Sequence, residues 1–251
     1  MEYQEINEVI NADGLRIVLV QGFPSPWGQA AKAMMEYKSL NYTAGALKAR
    51  GENAAIVNWA GVNSAPVVAW NRETPLNRWD DILVLLERLA PDKPLVPEAQ
   101  STRVQFFGLA HTICDQLGFG WNRRLEGIHA GVEAGIAPGP FGEKYGYNKN
   151  DGEQARQRSI HFLRYLTNTL KSQKKKGSNY IIGDTLTAVD FYWAAFSNLA
   201  AIQSPEDCPL APEIRTRFER VAPEVSAAVD PILIEHRDRI MHTYFKMPME
   251  L

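Results

Sequence analysis

Leu15-Arg16-Ile17-Val18-Leu19-Val20 is a nearly unbroken apolar, β-branched run, and Gly22-Phe23-Pro24-Ser25-Pro26 ends it. A run of this kind reads as a strand covered on both faces. Beyond the break, Ala30, Ala33, Met34 and Tyr37 recur at helical spacing. Serine followed by proline suits a helix start: a hydroxyl at the N-cap, then a ring that fixes φ where no N–H is needed. A buried strand, a tight loop at its C-terminal end and a helix make a βα unit. That unit commits the first third of the chain to an α/β layer.

The residues that follow extend it. Residues 41–46 read as a short second strand and 53–60 as an irregular helix. Residues 65–70 are extended and apolar, with Pro66 near the start, where a strand tolerates proline. Residues 71–75 form a turn. A helix from about Asn77 places Trp79, Ile82, Leu83, Leu86 and Leu89 on one face. The proline-rich stretch 91–97 then marks a boundary. The expected organisation is an α/β domain over 1–90, a linker over 91–97 and an all-helical domain over 98–251.

No strand is expected beyond the linker. Residues 98–122 read as one helix, weakened by Gly108 and Gly118. Residues 127–147, rich in Gly and Pro, read as a flap. Asn150 and Glu153 resemble a capping box. The helix after them carries Ile160, Leu163, Leu166 and Leu170, and Lys174–Lys176 ends it on the side favoured by the helix dipole. Thr187 and Asp190 form a second cap pair, with Asp190 structural. The last helices are expected to break near Pro223 and Pro231.

Composition narrows the function. With 251 residues and 45% hydrophobic content, the chain can bury a core without a disulfide or metal staple. Lys and Arg total 27 against 29 for Asp and Glu, a net charge of −2. No excess of basic charge is present to serve nucleic acid. The first thirteen residues carry Glu2, Glu5, Glu8 and Asp13, unlike a signal peptide. No apolar run approaches the roughly 18 residues of a membrane helix. Cys114 and Cys208 match neither a disulfide framework nor a zinc pattern. The expectation is a cytoplasmic protein with no nucleic acid, membrane or metal partner.

Three segments carry a resemblance. They are the strand–loop–helix with Ser25-Pro26-Trp27 at its turn, the stretch Ala65-Pro66-Val67-Val68, and Tyr180-Ile181-Ile182-Gly183-Asp184-Thr185-Leu186-Thr187-Ala188-Val189-Asp190. Together they resemble the cytosolic glutathione transferase superfamily, from about Leu15 to the C-terminus. The last segment is the most specific of the three. The resemblance implies a thioredoxin-like α/β N-terminal domain, an all-α C-terminal domain and a homodimer.

It also implies a chemistry. Ser25 falls where members carry a catalytic Ser, or a Cys in the thiol-transfer classes. A thiolate is the nucleophile, and a free thiol titrates near pH 8.5. A hydroxyl donor and a helix N-terminus both favour the anion. Ser25 would then stabilise the thiolate of glutathione for attack on a small hydrophobic electrophile. The plainer reading of Ser25 is an N-cap and nothing more. Ala65 and Pro66 are the expected backbone anchor for the cysteinyl unit, with a cis bond between them. Trp27 joins them as a cofactor-binding candidate.

The sequence departs from the superfamily at the γ-glutamyl site, where members place Glu-Ser and this chain has Arg78-Trp79. Arg78 can grip a carboxylate but cannot accept an ammonium. Asn77, Asp80 and Asp81 are available to compensate, and Trp79 reads as a core residue. A non-catalytic binding or interaction protein on the same fold is therefore the alternative. No cysteine lies in the Ser25 turn, so a mixed disulfide there is excluded. Trp121, Arg123 and Arg124 read either as a cleft wall with anion-binding groups or as a solvated helix end. Phe141, Tyr145 and Tyr147 read either as a substrate cover or as loop packing. The five histidines are scattered and support no Ser-His-Asp triad.

Overall fold

The computed structural model describes residues 1–251, which divide into two compact units. The first comprises Met1–Val96 with residues 203–217 and 239–251. The second comprises Pro97–Ile202 with residues 218–238.

The first unit holds α1 (Ile6–Asn11), β1 (Leu15–Val20), α2 (Pro26–Tyr37), β2 (Tyr42–Leu47), α3 (Ala54–Ala60), β3 (Val67–Trp70) and α4 (Trp79–Leu89). The strands form one sheet in the order β2-β1-β3. β1 is central: Ile17 faces Ala44 in a parallel pair with β2 and Val68 in an antiparallel pair with β3. That position explains its apolar run, because Leu15 to Leu19 are all buried. Arg16 is the exception in type, not in burial. Its guanidinium donates to the carbonyls of Ile10 and Asn71 and lies over the Trp59 ring.

α2 lies directly on β1. A Cβ at Gly28 would sit 2.8 Å from Leu19 Cδ2, so a larger residue there would have to displace the Leu19 side chain. α4 buries Ile82, Leu83, Leu85 and Leu86. Trp79 and Leu89 are only half-buried, so the apolar face is rotated slightly toward Leu85. α1, which the polar N-terminal sequence did not suggest, belongs to a segment that covers the outer edge of β2. There Gln4 N donates to the Ala44 carbonyl at 2.9 Å. Covering an edge in this way removes a template for unwanted strand pairing.

The second unit is helical, with α5 (Gln100–Cys114), α6 (Phe119–Glu133), α7 (Gly139–Lys144), α8 (Lys149–Lys175), α9 (Ala188–Ser197) and α11 (Pro223–Ala227). α10 (Pro212–Glu219) and α12 (Pro231–Tyr244) are divided between the units. Every residue of α9 is buried. Phe119 packs against Phe162 and Trp193, with ring centroids 5.1 and 5.8 Å apart.

Several expectations need correction here. The single helix expected over 98–122 is two, α5 and α6. A Cβ at Gly118 would lie within 2.9 Å of the carbonyls of His111, Thr112 and Asp115, so the break is built around this glycine. The expected flap is mostly helix: α6 runs to Glu133 and α7 covers residues 139–144. The cap of α8 is Asn148, whose side chain accepts from Asp151 N, and not Asn150. The breaks expected near Pro223 and Pro231 are present, and each proline is the first residue of the helix that follows, where a missing N–H costs nothing.

Candidate active site

The site is built where β1 ends. Ser25 closes the turn after Val20: its N–H donates to the Phe23 carbonyl at 2.8 Å, and its carbonyl accepts from Gln29 N at 2.9 Å. The backbone is extended there, and Pro26 begins α2. Ser25 therefore occupies the N-cap. Its hydroxyl nevertheless makes no capping hydrogen bond. The residue is half-buried, beside a helix N-terminus with its partial positive charge. Trp27 is the second residue of α2 and is also half-buried.

The antiparallel pairing of β1 with β3 brings the next two candidates to the same end of the sheet. Val18 faces Val67, and Pro66 immediately precedes it. The Ala65–Pro66 bond is cis. Ala65 packs against the buried cluster of Val18, Leu47, Ile56 and Val67.

Asn77 and Arg78 arrive through a second antiparallel contact. Val68 and Leu76 exchange backbone hydrogen bonds of 2.8 and 2.7 Å. Asn77 and Arg78 follow Leu76 directly and lead into α4. Arg78 is the N-cap of α4 and is largely exposed. Its Nη2 lies 3.0 Å from Asp80 Oδ2 and its Nε 3.9 Å from Asp81 Oδ2. The other oxygen, Asp80 Oδ1, is buried and has no hydrogen-bond partner. Side-chain charges of both signs thus meet at the start of α4. Asp80 is one of the three residues, with Asn77 and Asp81, expected to compensate for the missing Glu-Ser pair, and it lies in the first turn of a helix whose cap is a cation.

Trp121, Phe141, Tyr145 and Arg123 contact other residues of the second unit. Trp121 donates through Nε1 to the Tyr145 carbonyl at 2.9 Å and meets the Tyr145 ring edge-on at 4.8 Å. Phe141 meets the same ring at 4.9 Å. Arg123 donates to the Leu199 carbonyl and pairs with Glu126, so it is a structural cation. Both cysteines are buried, and burial pushes the Cys208 thiol up to about 11.

Residues 140–228 match the family model described as glutathione S-transferase, C-terminal domain. No curated relative matches the chain by sequence. Solved structures match along nearly the whole chain. A glutathione S-transferase domain-containing protein from Marinobacter aquaeolei is 14% identical, with 92% of this chain and all of that one covered and a TM-score of 0.65. The chain has the glutathione transferase fold. A glutathione S-transferase from Methylobacillus flagellatus with glutathione bound is 11% identical over 91% of this chain and 95% of its own, with a TM-score of 0.63. One from Methylobacterium radiotolerans, in complex with glutathione sulfonate, is 16% identical over 92% of each chain, with a TM-score of 0.60. Within the glutathione transferase fold, the first unit is the thioredoxin-like part and the second the helical part. No helix is long and apolar enough to cross a membrane.

Proposed function

We propose that the protein is a cytoplasmic, homodimeric glutathione transferase in which Ser25 stabilises the glutathione thiolate for attack on a small hydrophobic electrophile. The observation that carries this reading is the Ser25 hydroxyl. It stands at a helix N-terminus, after the end of β1 that pairs with the start of β3, and is not spent as a cap. A hydrogen bond to an ionised group is worth about 1.5–3 kcal/mol. That is enough to shift a thiol toward the thiolate at neutral pH. Because neither cysteine lies in the turn, the thiol must come with the ligand.

Arg78 and Asp80 supply the other end of the site. The γ-glutamyl end of glutathione is a zwitterion. In this proposal Arg78 meets its carboxylate and Asp80 Oδ1 accepts from its ammonium, with Asn77 beside them. Trp27 and the Ala65–Pro66 backbone hold the middle of the tripeptide. Titration calorimetry with millimolar glutathione tests binding, and turnover of a generic aryl electrophile tests catalysis. Asp80→Asn is expected to raise KM for glutathione at least about tenfold while leaving kcat within about twofold, since it removes a ground-state contact. An unchanged KM removes Asp80 from the site. Sedimentation showing a monomer at micromolar concentration would reject the dimer.

A second reading has its own observation. Arg78 is ion-paired with Asp80 and Asp81 of its own helix, which suits a non-catalytic ligand-binding or interaction protein. Absence of calorimetric binding at millimolar glutathione favours it.

A further inference from the structure

The second unit brings together three residues that lie apart in the sequence. His129 Nδ1 is 2.9 Å from the Tyr147 hydroxyl, and His129 Nε2 is 3.5 Å from Glu133 Oε1. The imidazole is mostly buried, whereas the carboxylate is exposed. A carboxylate can only accept, so it favours the tautomer with the proton on Nε2. That tautomer leaves the Nδ1 lone pair facing the phenol. Tyr147 is held in this position by close packing against α8. A Cβ at Gly152 would lie 2.7 Å from Tyr147 Cε2 and 2.8 Å from His129 Nδ1, so glycine is required there.

Tyr147 also lines an open surface depression of about 290 Å³ with Pro138, Gly139, Gly142, Glu143 and Gly146. Its walls are mostly glycine and proline, and its one charged lining residue is Glu143. The occupant this suits is small and neutral or cationic, not an anion.

We propose that Glu133, His129 and Tyr147 form a second reactive site, in which the Tyr147 phenol accepts an acyl group from a small neutral or cationic activated ester. An unassisted phenol is almost wholly protonated at neutral pH and a poor nucleophile. Here the phenol oxygen forms the new bond to the acyl carbon as the bond from that carbon to the leaving aryloxide breaks. The phenol proton passes to His129 Nδ1 and then to the aryloxide, which departs as a neutral phenol. Glu133 stabilises the imidazolium in between. The arrangement follows the nucleophile–base–carboxylate logic of acyl-transfer sites, with tyrosine in place of serine. It depends on neither Ser25 nor glutathione.

The test is treatment of the full-length protein with p-nitrophenyl acetate, followed by peptide mass spectrometry. Tyr165 is the internal standard, because it is more than half exposed on α8. Tyr147 is expected to acquire the acetyl group at least about tenfold faster than Tyr165. General-base assistance is worth on the order of 100-fold or more, so His129→Gln should bring Tyr147 down to the rate of Tyr165. Glu133→Gln, an exposed change that leaves the fold intact, should slow Tyr147 by a few-fold and leave Tyr165 unaffected. Labelling of Tyr147 no faster than Tyr165 in the unmodified protein overturns the proposal. Fast labelling that survives both substitutions overturns the relay. Neither result bears on Ser25, whose variant should label at Tyr147 like the parent protein.

Discussion

Ser25 and Thr187 each stand at the N-cap of a helix, yet the chain uses the two positions differently. At α9 the capping box is complete. Asp190 Oδ2 accepts from Thr187 N at 2.9 Å and from the Thr187 hydroxyl at 3.1 Å. Asp190 Oδ1 accepts from Ile181 N at 3.0 Å and lies 3.1 Å from His236 Nε2. Asp190 is fully buried, with both oxygens engaged. At α2 the same kind of position holds a half-buried serine whose hydroxyl caps nothing. A cap that serves the fold spends its oxygens inside the protein. In the proposed function, Ser25 instead keeps its hydroxyl for the glutathione thiolate. The contrast separates a helix start whose polar groups are engaged within the fold from one whose serine hydroxyl makes no cap.

Substitutions at the two caps sharpen this contrast, and the largest effect is expected at α9. Asp190→Ala leaves the buried Ile181 and Thr187 backbone donors and the Thr187 hydroxyl without their acceptor. It should cost about 3–5 kcal/mol, as breaking a buried charged network does, and chemical denaturation measures it. A loss below about 1 kcal/mol would mean that the network is looser than its distances indicate.

Glu250 gives an intermediate effect with a defined pH dependence. Burial alone would raise its pKa, but Lys32 and the N-terminal ammonium outweigh that and hold it at about 2, below its ordinary 4.5. A carboxylate with a depressed folded-state pKa adds stability above its unfolded value and loses it as pH falls. Stability from this group is therefore full above about pH 4.5 and disappears toward pH 2. Glu250→Gln should flatten that part of the pH–stability curve. An unchanged slope between those values contradicts the assignment.

The smallest stability effect is expected at Ser25. Replacing a serine N-cap by alanine typically costs about 1 kcal/mol through the lost side-chain hydrogen bond. That bond is not made here, so Ser25→Ala should change stability by less than about 0.5 kcal/mol.

The legible parts of the sequence were those in which one local rule decided the outcome. β1 was readable because a central strand must be apolar on both faces. The α9 cap was readable because Thr187 and Asp190 are three apart. α2 was readable because Ser25-Pro26 is a local signal. What escaped depended on distant partners. Gly118 reads as a weak helix residue until the three carbonyls crowding it are seen. The Tyr147–His129 contact joins residues 18 apart and has no local pattern at all. At the candidate site, Ser25 and Pro66 were visible as turn and strand-start signals. The relation of Arg78 to Asp80 was not, because which oxygen a cation leaves unused is fixed by side-chain packing.

The central claim is that the Ser25 hydroxyl is held for a ligand and not for the fold. The most direct test measures denaturant stability and glutathione-dependent turnover on the same Ser25→Ala protein. Stability within about 0.5 kcal/mol of the parent, together with kcat/KM lowered at least about tenfold, the loss expected for one charge-assisted hydrogen bond, is the predicted result. Turnover equal to the parent's, or a stability loss near that of an ordinary lost cap, would contradict it.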